Sequence, residues 1–157
     1  MDSIFVKILA GEADASFVYR DDVVAAFMDI RPMNAGHMLV VPVKPAMSLA
    51  DLDDATAAHM MIVAKHIAAA IRKSGYPCEG INLTLADGEA AGQEVMHVHM
   101  HVIPRITGDG FGYKYDARLQ LAQRSALDEA AKRIAVHLDK TDIIPAQNAL
   151  KENNHGT

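Results

Sequence analysis

The sequence predicts an α+β fold built on an antiparallel sheet. Three observations lead there. Strand-like runs bounded by turn residues stand in both halves of the chain. One long stretch of helical periodicity separates them, without the regular strand–helix alternation that a doubly wound parallel sheet needs. Hydrophobic residues make up 50% of the chain and charged residues 22%, an ordinary globular composition.

Residues 3–10 suit a short helix, with Ile4, Phe5, Ile8 and Leu9 on one side. Phe17-Val18-Tyr19 reads as a strand, and Arg20-Asp21-Asp22 supplies turn chemistry before a second strand from Val23 to Met28. Pro32 and Gly36 make residues 31–36 a connection. His37 to Val43 is a third strand, with Pro42 near its end or on an unpaired side. The long helix runs from about Asp54 to Lys73. Met60, Val63, Ala64, Ile67 and Ile71 recur there at three- and four-residue spacing. Asp53 or Asp54 caps its start, and Arg72, Lys73 and Gly75 mark its end. Ile81 to Leu85 is a fourth strand, residues 87–92 are a loop, and Val95 to Ile103 is a fifth strand stopped by Pro104. Residues 107–112 form a second glycine-rich loop. A last helix fits Ala126 to Leu138, with Ser125 as N-cap and Leu127, Ala131, Ile134 and Leu138 facing inward. At 157 residues, one domain is expected, spanning residues 1–138. The polar, Asn-rich stretch 139–157 is expected to be a tail that moves freely or docks on a partner subunit.

Several classes are excluded early. Fifteen basic against 20 acidic residues give a net charge of −5, and no basic run is present, so nucleic acid is not the expected partner. No apolar run approaches the ~18 residues of a membrane span. The opening MDSIFVKILAGEAD is too short and too mixed for a signal peptide. Cys78 stands alone, so no internal disulfide is expected and a reducing cytoplasm is the expected compartment.

The informative segment is Met96-His97-Val98-His99-Met100-His101-Val102-Ile103. On a strand, alternation puts His97, His99 and His101 on one face and Met96, Val98, Met100 and Val102 on the other, toward the core. Alternate residues lie about 6.6 Å apart, so neighbouring imidazoles can bridge a phosphate-sized group. His59, His66, His137 and His155 are expected to be solvated or incidentally packed. Two chemistries suit the row. Neutral imidazoles ligate zinc, although a third ligand from one strand needs a bend. Alternatively, an imidazole nitrogen attacks phosphorus while its neighbours stabilise the oxygens and assist the leaving group. The preceding Gly88-Glu89-Ala90-Ala91-Gly92-Gln93 offers backbone N–H groups and an amide to an anion without net positive charge.

These residues resemble the histidine-triad (HIT) family of nucleotide hydrolases and transferases. HVHMHVI at 97–103 matches its H-x-H-x-H motif, preceded by AGQEV at 91–95. GHMLVVP at 36–42, AFMDIRP at 26–32 and SIFVKI at 3–8 are similar to its other blocks, in order, over residues 3 to about 112. The resemblance implies the HIT fold, a five-stranded antiparallel sheet with one long and one short N-terminal helix, in a two-fold homodimer. It implies cleavage at the α-phosphate of a purine nucleotide derivative. In this role His99 is the nucleophile, the His97 carbonyl fixes its tautomer, and His101 contacts phosphate and leaving group. His37 completes the cluster. Gln93 and the backbone at Gly92 and Glu94 bind phosphate, Asp29 takes the ribose hydroxyls, and Phe5, Ile8, Phe27 and Ile30 hold the base. No cofactor is implied.

Some positions depart from the family's pattern. Ala86 stands where many members have an Asn that contacts the nucleotide, and Glu94 where Ser or Thr donates a hydroxyl. Ser3, Val6 and Pro45 stand where some bacterial members have a C-x-x-C and a histidine for structural zinc, so no metal is expected. The DIRP block leans toward nucleoside phosphoramidases, and HVIPR with the GDGF loop toward dinucleoside polyphosphate hydrolases. Two alternatives are a metal-dependent hydrolase using the same histidines and a non-catalytic nucleotide-binding sensor or adaptor.

Overall fold

A computed structural model describes residues 3–112 and 122–138. The chain divides into two compact units, residues 1–112 and 113–157. In the first, the short helix α1 (Ile4–Ala10) is capped by Ser3, whose side chain accepts from the Val6 N–H, and ends at Gly11 in the left-handed conformation. The sheet comprises β1 (Phe17–Arg20), β2 (Val24–Met28), β3 (Met38–Pro42), β4 (Gly80–Leu85) and β5 (Met100–Arg105). Its order is β1-β2-β3-β5-β4 with every neighbour antiparallel, as the absence of strand–helix alternation predicts. The long helix α2 spans Asp54–Lys73, capped by Asp53.

Strand alternation sorts the apolar residues into two layers. Val24, Ala26, Met38, Val40, Met100 and Val102 face α2, which buries its predicted stripe of Met60, Val63, Ala64, Ile67 and Ile71 against them. Ala25, Phe27, Leu39 and Val41 face the other way and pack with Phe5 and Ile8 of α1. Burial on both faces explains why β2 and β3 read as continuous apolar runs.

Two elements differ from expectation. The fifth strand begins at Met100 rather than Val95 and runs through Pro104 to Arg105. Its ladder with β3 covers only Met38↔Val102 to Val40↔Met100. Pro42 has no N–H, and its carbonyl accepts from the His97 ring, so the ladder has nothing to extend with. Pro104 is tolerated because it lies past the end of β3 and pairs only with Ile81 of β4. The second unit's helix, α3 (Arg124–Ala135), has Gln123 rather than Ser125 at its N-cap position, without a side-chain cap bond. It buries no residue: Leu127, Ile134 and Leu138 are exposed, Ile134 at 71%. Among the described residues of its unit α3 is the only helix. The tail 139–157 lies outside the described residues. No described helix is long and apolar enough to cross a membrane.

Candidate active site

Register delivers the first histidine. His101 in β5 pairs with Leu39 of β3, which in turn pairs with Phe27 of β2. Directly opposite residues share a face, so His101 projects onto the α1 side of the sheet. His99, two residues earlier, lies beside it with ring centroids 5.0 Å apart. His37 directly precedes β3, following Gly36 in the left-handed region (φ 90°), and its ring centroid is 5.1 Å from that of His101. A cavity of about 960 Å³ opens over these rings. His37, His99, His101 and Asp29 line one part of it, and Phe5, Ile8, Phe27 and Leu39 supply apolar wall.

Hydrogen-bond partners determine where each proton sits. The Nδ1 of His99 is 2.7 Å from the carbonyl oxygen of His97. A carbonyl only accepts, so Nδ1 carries the hydrogen and the neutral ring keeps a bare Nε2. The Met33 N–H donates to Nδ1 of His37 at 3.1 Å, which puts that ring's hydrogen on Nε2. That Nε2 faces Nδ1 of His101 at 2.9 Å. His101 therefore accepts at Nδ1 and holds its own hydrogen on Nε2. Asp29 Oδ2 lies 3.5 Å from the His37 Nε2 and 3.7 Å from the His101 Nδ1, close enough to bias both electrostatically.

Burial pushes His101 down to about 4, helped by the neighbouring His99 and His37 and opposed by Asp29 and Glu94. Burial also lowers His37, against the pull of Asp29, and lowers His97. Burial thus favours the neutral form of His37 and His101, and His101 acts as an N–H donor rather than a cation.

Several expected roles change. His97 does not join a row of three. Its ring is 1% exposed, with Nε2 2.9 Å from the Pro42 carbonyl and Nδ1 3.2 Å from Ser3 Oγ. Residues 97–99 lie outside the strand, so strict alternation does not apply to them. The Gln93 amide, expected on phosphate, is buried instead. Its Nε2 donates to the carbonyls of Met47 (2.9 Å) and Val95 (3.1 Å) while its Oε1 accepts from the Gly88 N–H. Both amide hydrogens are used, so Gln93 braces the loop. Ile30 lines the cavity but is 94% exposed, a rim residue. Glu94 turns its carboxylate to Arg31, forming an ion pair at the cavity edge. Phe5, Ile8, Phe27, Asp29 and Gly92 all line the cavity as expected.

Sequence reasoning missed three contributors. Arg31 is the one Lys or Arg among the described lining residues, against Asp14, Asp29 and Glu94. Its signal was the basic residue inside DIRP. Met33 acts through its backbone, which no side-chain pattern reveals. Ser3 was read only as part of the first helix and as a departure from the zinc-binding pattern.

Asp29, His37 and His101 bring one ligand atom each within 4.8 Å of one another, a grouping that could hold a metal ion. Ligand chemistry opposes it. A metal-bound imidazole keeps its proton on the other nitrogen and donates it to an acceptor. The other nitrogen of His37 instead meets the Met33 N–H. Nε2 ligation would force that ring toward the imidazolate, so the three residues do not fit a divalent ion as arranged.

A family model for the HIT domain matches residues 10–108. An uncharacterized HIT-like protein of Borreliella burgdorferi is 44% identical over 121 residues, covering 76% of this chain and 87% of that protein. The crystal structure of a HIT family protein from Bacillus anthracis superposes with a TM-score of 0.79 at 36% identity, covering 88% of this chain and 98% of that one. A histidine triad nucleotide-binding protein from Candida albicans reaches 0.78 at 26% identity, over 89% and 99% of the two chains.

Proposed function

Since the chain belongs to the histidine-triad family, a family of nucleotide-binding, hydrolase-type proteins, we propose that it cleaves purine nucleotide derivatives at the α-phosphate through a covalent nucleotidyl-His99 intermediate. One observation carries the reading: the bond from His99 Nδ1–H to the His97 carbonyl, at 2.7 Å, leaves a bare Nε2 on a ring that lines the cavity.

In the first step Nε2 attacks phosphorus, a P–N bond to His99 forms, and the bond to the leaving group breaks. His101 presents Nε2–H to the phosphate oxygens and the leaving atom. An entering anionic phosphate favours a second proton on the His37–His101 pair, shared by Asp29 Oδ2, and that proton departs with the leaving group. Water then attacks phosphorus and gives a proton to the His37–His101 pair as the P–N bond breaks, which restores His99 and releases the nucleoside monophosphate. Phe5, Ile8 and Phe27 supply an apolar wall for the base, with Ile30 at the rim. Asp29 is the ribose partner and the Glu94 backbone N–H is the donor to the phosphates, because the Gly92 N–H, also expected there, is spent on the Glu89 carbonyl at 2.9 Å. Dividing one displacement into two lowers each barrier. The substrate class is a nucleoside phosphoramidate or dinucleoside polyphosphate, and the working form is a cytoplasmic homodimer. The test is turnover of adenosine phosphoramidate and diadenosine polyphosphates by the purified protein, with its size measured by sedimentation. Absence of turnover of both overturns the reading.

Two other readings each rest on one observation. The Asp29–His37–His101 grouping is the one observation behind a metal-dependent hydrolase, a reading that the Met33 N–H on His37 opposes and that predicts activity lost to a chelator and restored by zinc. Ala86 and Glu94 favour a sensor or adaptor, which predicts tight AMP binding with no turnover.

A further inference from the structure

Residues 93–99 lead into β5 without a strand ladder. The orientation of the His97 carbonyl, the acceptor for His99, therefore depends on other anchors. Two are backbone bonds: His97 N–H to the Val95 carbonyl (2.8 Å) and Val98 N–H to the Ala46 carbonyl (2.7 Å). The rest come through the His97 ring, which is held at both nitrogens. Nε2 faces the Pro42 carbonyl at 2.9 Å and so carries the hydrogen. The neutral ring then has a bare Nδ1, and Ser3 Oγ, 3.2 Å away, donates to it. The same Oγ accepts from the Val6 N–H at 3.3 Å. Phe5 closes the contact by packing edge-on against His97 (5.8 Å between centroids) and His99 (5.2 Å).

A single chain of hydrogen bonds thus runs from the start of α1 through Ser3 and the His97 ring to the end of β3. The backbone of the same His97 holds the reactive ring. We propose that Ser3, acting through the His97 side chain, is a positioning residue for His99, fixing the carbonyl that selects its tautomer. Ser3 does more than cap α1: with the Pro42 carbonyl holding Nε2–H, its hydroxyl supplies the donor that the bare Nδ1 needs and fixes the second end of the His97 ring. This rests on His99 as nucleophile, and its consequence for the ring can be read without any substrate.

Nitrogen-15 spectra of the full-length protein report the tautomers of His97 and His99 directly. Wild type is expected to show His97 protonated at Nε2 and His99 at Nδ1. Ser3→Ala, which leaves Nδ1 without its donor, is expected to shift the His97 Nδ1 signal, weaken the His99 Nδ1–H signal and lower kcat about tenfold, with KM within about twofold. Ser3→Thr restores all three. Ser3→Asp keeps an oxygen for the Val6 N–H but offers His97 Nδ1 an acceptor in place of a hydrogen, so it retains the cap while drawing a proton onto Nδ1 and disturbing the His99 signal. Unchanged His99 signals in Ser3→Ala and Ser3→Asp, whatever happens to the melting temperature, overturn the proposal and leave Ser3 a cap. These spectra decide it even if no tested nucleotide is turned over, an outcome that counts against the proposed function alone.

Discussion

The Nδ1–H of His99 donates to the backbone carbonyl of His97 across 2.7 Å, and this bond turns the bare Nε2 of His99 to the cavity. A residue two positions away thereby sets which nitrogen can attack phosphorus. His99→Gly removes the attacking atom but neither the apolar wall nor the loop. Turnover is expected to fall by about a thousandfold or more, with AMP affinity within about threefold of wild type. Steady-state kinetics and calorimetric titration of AMP check the two halves of this expectation.

Stability should depend on pH through the buried imidazoles. His37, His97 and His101 are all lowered on folding, and His101 falls from 6.5 to about 4. Across that window the unfolded chain binds more protons than the folded one. Stability is therefore full above about pH 6.5 and is lost as pH falls toward 4, with His101 alone contributing roughly 3 kcal/mol. Thermal melts between about pH 8 and about pH 4 should show a plateau and then a decline. His101→Asn should make the decline shallower.

Phe5 joins fold and site. It is buried, with ring contacts to Phe27, His97 and His99 at 5.6, 5.8 and 5.2 Å. Phe5→Ala should cost about 3 kcal/mol in stability. It should also raise KM more than Phe5→Leu does, because the cavity loses wall as well as packing. Denaturant melts and KM for one substrate measured side by side test this.

The Arg31–Glu94 pair bears on charge selection. Both side chains are largely exposed, so breaking the pair changes stability little. Glu94→Gln frees the lining guanidinium and removes one of three lining carboxylates. The KM for a dinucleoside polyphosphate should drop about fivefold, and that for a singly charged phosphoramidate should drop less. Equal effects on both substrates would show that Glu94 does not discriminate by charge.

Much of this was legible in the residues, for physical reasons. The two-sided burial of β2 and β3 and the stripe of α2 write themselves as apolar runs and three–four spacing. His99 and His101 were found from the alternation of histidine with apolar residues, and His37 only from the resemblance of GHMLVVP to the family's block. His97 and Gln93 were misplaced because a side chain in an irregular segment goes where its hydrogen bonds are met, and their acceptors, Pro42, Met47 and Val95, are backbone atoms brought near by the fold. Backbone donors leave no trace in residue type, so the Met33 N–H that sets the tautomers of the His37–His101 pair could not be read in advance. The start of β5 was misjudged by five residues because alternation of His and apolar residues continues past the point where Pro42 ends the ladder.

The most direct test is intact-protein and peptide mass spectrometry of enzyme quenched during turnover of a slow adenosine phosphoramidate. The account predicts a nucleotidyl group on the peptide containing residues 97–101, attached to His99 and absent from His99→Gly. Full turnover with label on another residue, or with no label at any quench time, contradicts it.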